Sequence, residues 1–247
     1  MGTFLINPID VPPGVIAYLA LQLNIASTDC LPRYLERPTT HWEHAQIIKQ
    51  YYGYREFSEQ PYRWRLQRWL YERAWVSDES PSILFDLTTA RLVESKILLP
   101  GVSVLVRLIS SIRERVTKRT WLMVSKLPSW EQRSQLESLL VVNEKTRQTL
   151  LDQLRRSPTR YSAAALLEAL KRLMLVRSFG IINLNVAKIP PTRLKSLSKT
   201  AFTVRAQAIR RMSESRRIAT LVAFVYIMEA IATDDALDVL EVFGKKI

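Results

Sequence analysis

Between Val102 and Leu127 the chain runs without a glycine or proline and sets Leu105, Ile109, Ile112, Val116 and Met123 on one stripe at helical spacing. A stripe of that period has no place in a sheet, where apolar residues alternate with period two. It predicts one long amphipathic helix. Arg107, Arg115, Lys118 and Arg119 fall on another side of it, so its polar flank is cationic. The rest of the chain has the same character: 247 residues contain only 6 glycines and 12 prolines, and Leu, Ala, Arg, Glu and Gln fill the periodic segments. The expected fold class is all-α.

Turn and cap residues divide this helical text. Pro12 and Pro13 suit the first turn of a helix over Val11–Ile25, with Val15, Ile16, Leu19 and Leu23 on one face. Ser27 and Thr28 can cap a short helix, and Thr39 and Thr40 precede HWEHAQIIKQYYG, where Ile47, Ile48, Tyr51 and Tyr52 are apolar and Gly53 suits a left-handed end. Three short helices with tight connections fit a helix-turn-helix unit. Ser58 opens a segment dense in aromatics and arginines, whose Trp64, Trp69, Tyr71 and Trp75 could stack on bases but at helical spacing are expected to fill a core. Ser80 opens a further helix to about Leu99, and the Pro100-Gly101 pair marks the best boundary. Shorter helices are expected near 129–142, 144–156 and 162–178, a linker at IINLNVAKIPP, and helix again from Arg193. Helical modules are therefore expected at 1–99 and 100–182, followed by a linker and helices at 183–247.

Charge separates these parts. Residues 1–99 carry 10 Lys+Arg against 11 Asp+Glu, residues 100–217 carry 24 against 7, and the remainder carries 2 against 5. The formal net charge of +13 is thus concentrated in the middle of the chain, which suits a surface that binds a polyanion. Nucleic acid is the expected partner. An anionic membrane would ask for one short amphipathic segment, and the longest apolar run, Ile218–Ala232, falls short of a membrane span. Soluble, cytoplasmic residence is expected.

Chemistry is sparse. A single cysteine, Cys30, and two histidines, His41 and His44, supply neither a four-ligand metal site nor a nucleophilic triad, and no phosphate-cradling glycine loop occurs. Asp234, Asp235 and Asp238 form the one tight acidic cluster, with Glu229 upstream. Acids sharing one local segment suit the start of a helix better than a two-metal site, with Thr233 or Asp234 as the cap. No cofactor, metal or small-molecule substrate is expected. The apolar helix over 218–232 could instead dock a partner chain, which would make the protein an assembly module.

Five stretches in order, FLINPIDVPPGVIAYLALQLNI, TTHWEHAQIIKQYYGYREF, LVESKILLPGVSVLVRL, IPPTRLKSLS and ESRRIATLVAFVYIMEAIATDDALD, resemble the N-terminal region of the class II replicative transposases, the Tn-three family. The resemblance implies a modular, helical region that grips the terminal inverted repeats of a transposon, with another transposase chain as a further partner. It also implies that an Asp-Asp-Glu catalytic triad with two magnesium ions lies elsewhere in the full-length protein, that this chain is not itself an enzyme, and that the first module is incomplete at its start. His41 and Lys49 stand where the family more often has Arg.

In a helix-turn-helix unit the second helix enters the major groove. That assigns base-facing roles to His41, His44 and Lys49, with Arg55 just beyond. Phosphate contact is expected from Arg107, Arg115, Lys118, Arg119, Arg155, Arg156, Arg160, Lys171, Arg172, Arg193 and Lys195.

Overall fold

The computed structural model describes residues 10–29, 34, 39–159 and 162–244. Among them the regular structure is helical: α1 (Pro13–Gln22), α2 (Thr40–Tyr52), α3 (Tyr62–Val76), α4 (Pro81–Glu94), α5 (Val102–Ser125), α6 (Trp130–Ser138), α7 (Leu150–Leu154), α8 (Ala163–Ser178), α9 (Pro191–Thr203), α10 (Ala206–Arg210) and α11 (Glu214–Gly244), with a 3-10 turn at Ile181–Asn183. The all-α expectation is met. The short helix expected after Ser27 and Thr28 falls largely outside the described residues.

Local chemistry explains where the helices start and stop. Ser80 accepts from the Ile83 amide, Ser162 from the Ala165 amide, and Ser129 and Thr149 each build a reciprocal capping box, with Gln132 and Asp152. Gly53 and Gly180 take the left-handed conformation at helix junctions, φ 70° and 63°. Helices α4 and α7 are among those shorter than the sequence suggests. Helix α4 ends at Glu94, because Lys96 turns left-handed and the chain then pairs with Arg55: Arg55 N–H donates to the Lys96 carbonyl and Leu98 N–H to the Arg55 carbonyl, both at 2.9 Å. Helix α7 starts only at Leu150, because the Asn143 side chain accepts from the Lys145 and Thr146 amides and folds that stretch into a turn.

The chain forms two compact units, one of residues 1–70 with 80–110 and one of 71–79 with 111–247, so α3 and α5 each contribute to both. In the first unit Leu66, Leu70, Leu84, Leu92, Ile97, Leu105 and Ile109 are buried. The core-facing residues of α3 in this unit are thus its leucines. Trp64, expected in a core, is 55% exposed. Guanidinium groups cover the aromatic faces instead: Arg55 lies 4.6 Å from the Tyr62 ring centroid, Arg68 5.6 Å from Trp64 and Arg91 4.7 Å from Trp69. The apolar residues of α2 named above, Ile47, Ile48, Tyr51 and Tyr52, are exposed, and α1 has no buried residue.

The second unit is built around α11. Ile218, Ala219, Leu221, Val222, Ala223, Phe224, Val225 and Met228 are buried, packed by α8 and α9 and more lightly by α6 and the 3-10 turn. Burial on nearly every side explains why this stretch is apolar all round. The helix over 218–232 is therefore the central element of its own unit, and the reading of it as a docking helix for another chain is corrected.

The acidic cluster is corrected too. Thr233 to Asp238 lie in the middle of α11, where backbone amides already have carbonyl partners one turn back, so no cap is needed. Asp235 instead pairs with Arg172, and Glu229 with Arg177 at 3.0 Å. The Thr233 hydroxyl donates to the Glu229 carbonyl at 2.8 Å, and Asp234 and Asp238 face solvent. Among the described residues no group of three His, Cys, Asp or Glu side chains could hold a metal ion.

Candidate nucleic-acid interface

Helices that end inside a folded unit leave carbonyl groups without intrahelical partners, and a buried cation is one way to satisfy them. Three arginines of the second unit do this. Arg193, on α9, is 8% exposed; its Nη2 donates to the Ser77 carbonyl at 2.7 Å and its Nε to the Trp75 carbonyl at 3.3 Å, at the end of α3, with Asp78 3.4 Å away. Arg172, on α8, donates through Nε and Nη2 to the Leu154 carbonyl at the end of α7, at 3.0 and 2.7 Å, and pairs with Asp235. Arg155 donates to the Ala201 and Val204 carbonyls at the end of α9 and to Asp152. Burial holds the pKa of Arg155 below its ordinary value, with Asp152 opposing. It does the same for Arg193, where Asp78 opposes and nearby Arg113 adds to the lowering.

These three guanidiniums are occupied inside the fold, so the expectation that Arg155, Arg172 and Arg193 face phosphate gives way to a bracing role. Lys171 and Arg172 are split by the rotation of about 100° between successive residues of α8, while Arg155 caps the end of α7 and Arg156 lies just beyond it. Arg156 and Lys171 are exposed and line an open groove of about 930 Å³ with Ser157, Thr159 and Glu168.

The other expected positions divide by surroundings. In the first unit, Lys49 is 14% exposed and donates to Glu56 at 2.9 Å, His44 Nδ1 lies 2.9 Å from the Tyr34 hydroxyl, and Arg55 lies over Tyr62. Arg107 is exposed and donates to the Ser103 carbonyl of its own helix at 3.1 Å. The His41 side chain and Arg160 lie outside the described residues. In the second unit, Lys118 pairs with Glu114 one turn back at 2.7 Å, while Arg115, Arg119 and Lys195 are exposed.

One grouping in the second unit draws these cations together. Arg115 and Arg119, one turn apart on α5, both approach the ring of Tyr71 on α3, at 6.0 and 5.9 Å, and Arg119 lies 5.2 Å from Trp75 and donates to the Tyr71 hydroxyl at 3.1 Å. The Trp75 carbonyl is the one that Arg193 holds, and the next carbonyl, that of Val76, accepts from the Thr192 hydroxyl at 2.6 Å. Lys195, one turn beyond Thr192 on α9, is therefore carried by the same brace. The sequence reading placed Tyr71 and Trp75 in a core and missed this. The matching signal was the i, i+4 spacing of two aromatics on one helix and of two arginines on another. Arg216 likewise lies 5.0 Å from the Trp121 ring.

Comparison with known proteins gives this arrangement its setting. Residues 1–112 match the family described as "Domain of unknown function (DUF4158)", a match that ends close to Ser110, where the first compact unit ends. The chain is 45% identical over 98% of its length to the transposase for transposon gamma-delta of Escherichia coli (strain K12), of which it covers 24%. It is 25% identical over 93% of its length to the transposase for transposon Tn1546 of Enterococcus faecium, covering 23%. The chain is similar to a part of these transposases. The resemblance seen in the five motifs is borne out, and over 92 residues the chain is also 44% identical to the transposase for transposon Tn4556 of Streptomyces fradiae. The chain spans about a quarter of the length of the first two relatives. No described helix is long and apolar enough to cross a membrane.

Proposed function

We propose that this chain is a non-catalytic, sequence-specific DNA-binding region that holds the terminal inverted repeats of a transposon, while bond breaking belongs to other parts of a longer transposase. On this reading the two compact units are the modules that engage the DNA, and the protein works on bacterial nucleoid DNA alongside another transposase chain. The observation that carries the proposal is the pair Arg115 and Arg119, exposed and stacked, on a chain related end to end to transposases. Lys118 has a carboxylate of its own chain, Glu114, one turn back. Arginines left without one suit a ligand that brings its own negative charge, and duplex DNA carries one per about 1.7 Å of axis.

Arg115, Arg119, Arg156, Lys171 and Lys195 would supply phosphate contacts from the second unit, with Arg107 from the first. Sequence preference would come from the α2 region, His41 and His44 included, where a recognition helix would enter the major groove. The test is a titration of the chain with a duplex carrying the transposon end at several salt concentrations. With several phosphates contacted, log K should fall with log salt at a slope of about −0.9 per contact. Affinity that ignores salt, or is equal for the terminal repeat and a scrambled duplex, overturns the sequence-specific reading.

A further inference from the structure

We propose that Tyr71 and Trp75 form an aromatic backing that holds Arg119 and Arg115 edge-outward as a paired seat for one backbone phosphate of duplex DNA; this deepens the DNA-binding reading above and rests on it. A free arginine on a helix surface samples many rotamers, and ordering it costs binding energy. Here Arg119 is already ordered: its guanidinium lies over both Tyr71 and Trp75 and donates one N–H to the Tyr71 hydroxyl. Arg115 shares the Tyr71 ring. Each guanidinium has five N–H donors in its plane; the Tyr71 hydroxyl takes one of those of Arg119, and the others remain for ligand oxygens.

The electrostatics point the same way. Two like charges share one ring, Arg113 and the buried Arg193 lie close to each other in the same unit, and no carboxylate contacts Arg115 or Arg119 among the described residues. The intervening Lys118 has Glu114. Repulsion between unneutralised guanidiniums is relieved by an anion between them, and the planar fork of an arginine fits a phosphate with two parallel hydrogen bonds. Elsewhere in the molecule the stacked guanidiniums have a sheath-like setting: Arg55, Arg68 and Arg91 each cover a ring in a segment whose residues 1–99 are close to neutral overall.

The experiment is fluorescence anisotropy of the intact 247-residue chain with a labelled random-sequence duplex at a series of salt concentrations. Arg119→Gln should weaken binding about tenfold or more and reduce the salt slope by roughly 0.9, as a lost charge-assisted phosphate contact does. Lys118→Gln, which removes the same charge from the adjacent position, should weaken it only about twofold, the size of a screened surface charge. Trp75→Leu should cost roughly two- to fivefold at unchanged slope, the size of an exposed cation–π contact, and should cost nothing more once Arg119 is already Gln.

Equal losses for Arg119→Gln and Lys118→Gln overturn the seat. So does a Trp75→Leu effect that simply adds to that of Arg119→Gln. If Trp75→Leu lowers the melting temperature, Tyr71→Phe and Arg119→Lys carry the same test, since neither empties buried volume; both should weaken binding while leaving the slope in place, and wild-type affinity in both overturns the seat. A wild-type chain that fails to bind duplex at low salt removes the DNA-binding reading together with the seat. Wild-type binding with all variants alike removes the seat only.

Discussion

The two compact units use arginine in opposite directions. In the first, guanidiniums lie outward over the rings of α3, and one of the lysines expected to meet DNA, Lys49, is closed against Glu56. In the second, three arginines point inward onto helix-terminal carbonyls, and others stand outside with no carboxylate in contact. The contrast teaches that a count of cations says little until burial has sorted them. A net of +17 between residues 100 and 217 reads as one cationic wall. In the fold it is partly an internal frame and partly a surface.

The largest expected effect tests the frame. Arg193→Met removes the donor that holds the Trp75 and Ser77 carbonyls and leaves those groups without it at the end of α3. Each unsatisfied buried polar group costs about 1–3 kcal/mol, so a loss of roughly 3 kcal/mol in unfolding free energy is expected, read by urea denaturation. A loss below about 1 kcal/mol would return Arg193 to the surface set.

The neighbouring pair Arg155 and Arg156 sharpens the comparison within two residues. Arg155→Gln should destabilise by about 2 kcal/mol, because a neutral amide cannot reach both the Ala201 and Val204 carbonyls. Arg156→Gln should leave stability within about 0.5 kcal/mol, as exposed substitutions do, and reduce the salt slope of DNA binding by roughly 0.9. If the two variants behave alike in denaturant, the division into frame and surface is wrong at this helix end.

Much of the fold was legible because helical period, caps and terminators are local. Of the stripe, Leu105, Ile109, Ile112 and Val116 are buried and Met123 is half-buried, and Ser80, Ser129 and Ser162 cap the helices they precede. What was not legible depends on partners distant in sequence. Nothing near Arg172 announces Asp235, and nothing near Arg193 announces the end of α3. The acids at 234–238 looked like a helix start because they cluster, yet α11 runs through them, since the apolar face continues past Ala232 to Ala236 and Val239. Trp64 was misplaced for a similar reason: Leu66 and Leu70, on an adjacent face of α3, fill the core, and period alone does not rank a leucine face against a tryptophan face.

The smallest expected effect separates a stacked arginine that shields a ring from one that waits for a ligand. Arg91 lies 4.7 Å from Trp69 in the first unit and Arg119 lies 5.2 Å from Trp75 in the second, so the pair contacts are alike. Their settings differ. Residues 1–99 carry no net positive charge to draw a polyanion, and α4, which bears Arg91, sets Leu84, Thr88 and Leu92 into the core, so the stack closes the edge of that core. Exchanging Arg91 for Lys keeps the charge and removes the planar face, which should cost about 0.5 kcal/mol of stability, near the low end for an exposed cation–π contact. DNA affinity and its salt slope should stay at wild-type values. Arg119→Lys should do the reverse, leaving the denaturation midpoint in place while weakening the complex. Should Arg91→Lys weaken DNA binding as much as Arg119→Lys, the shielding stacks of the first unit belong to the interface as well, and the contrast between the units reduces to the buried arginines alone.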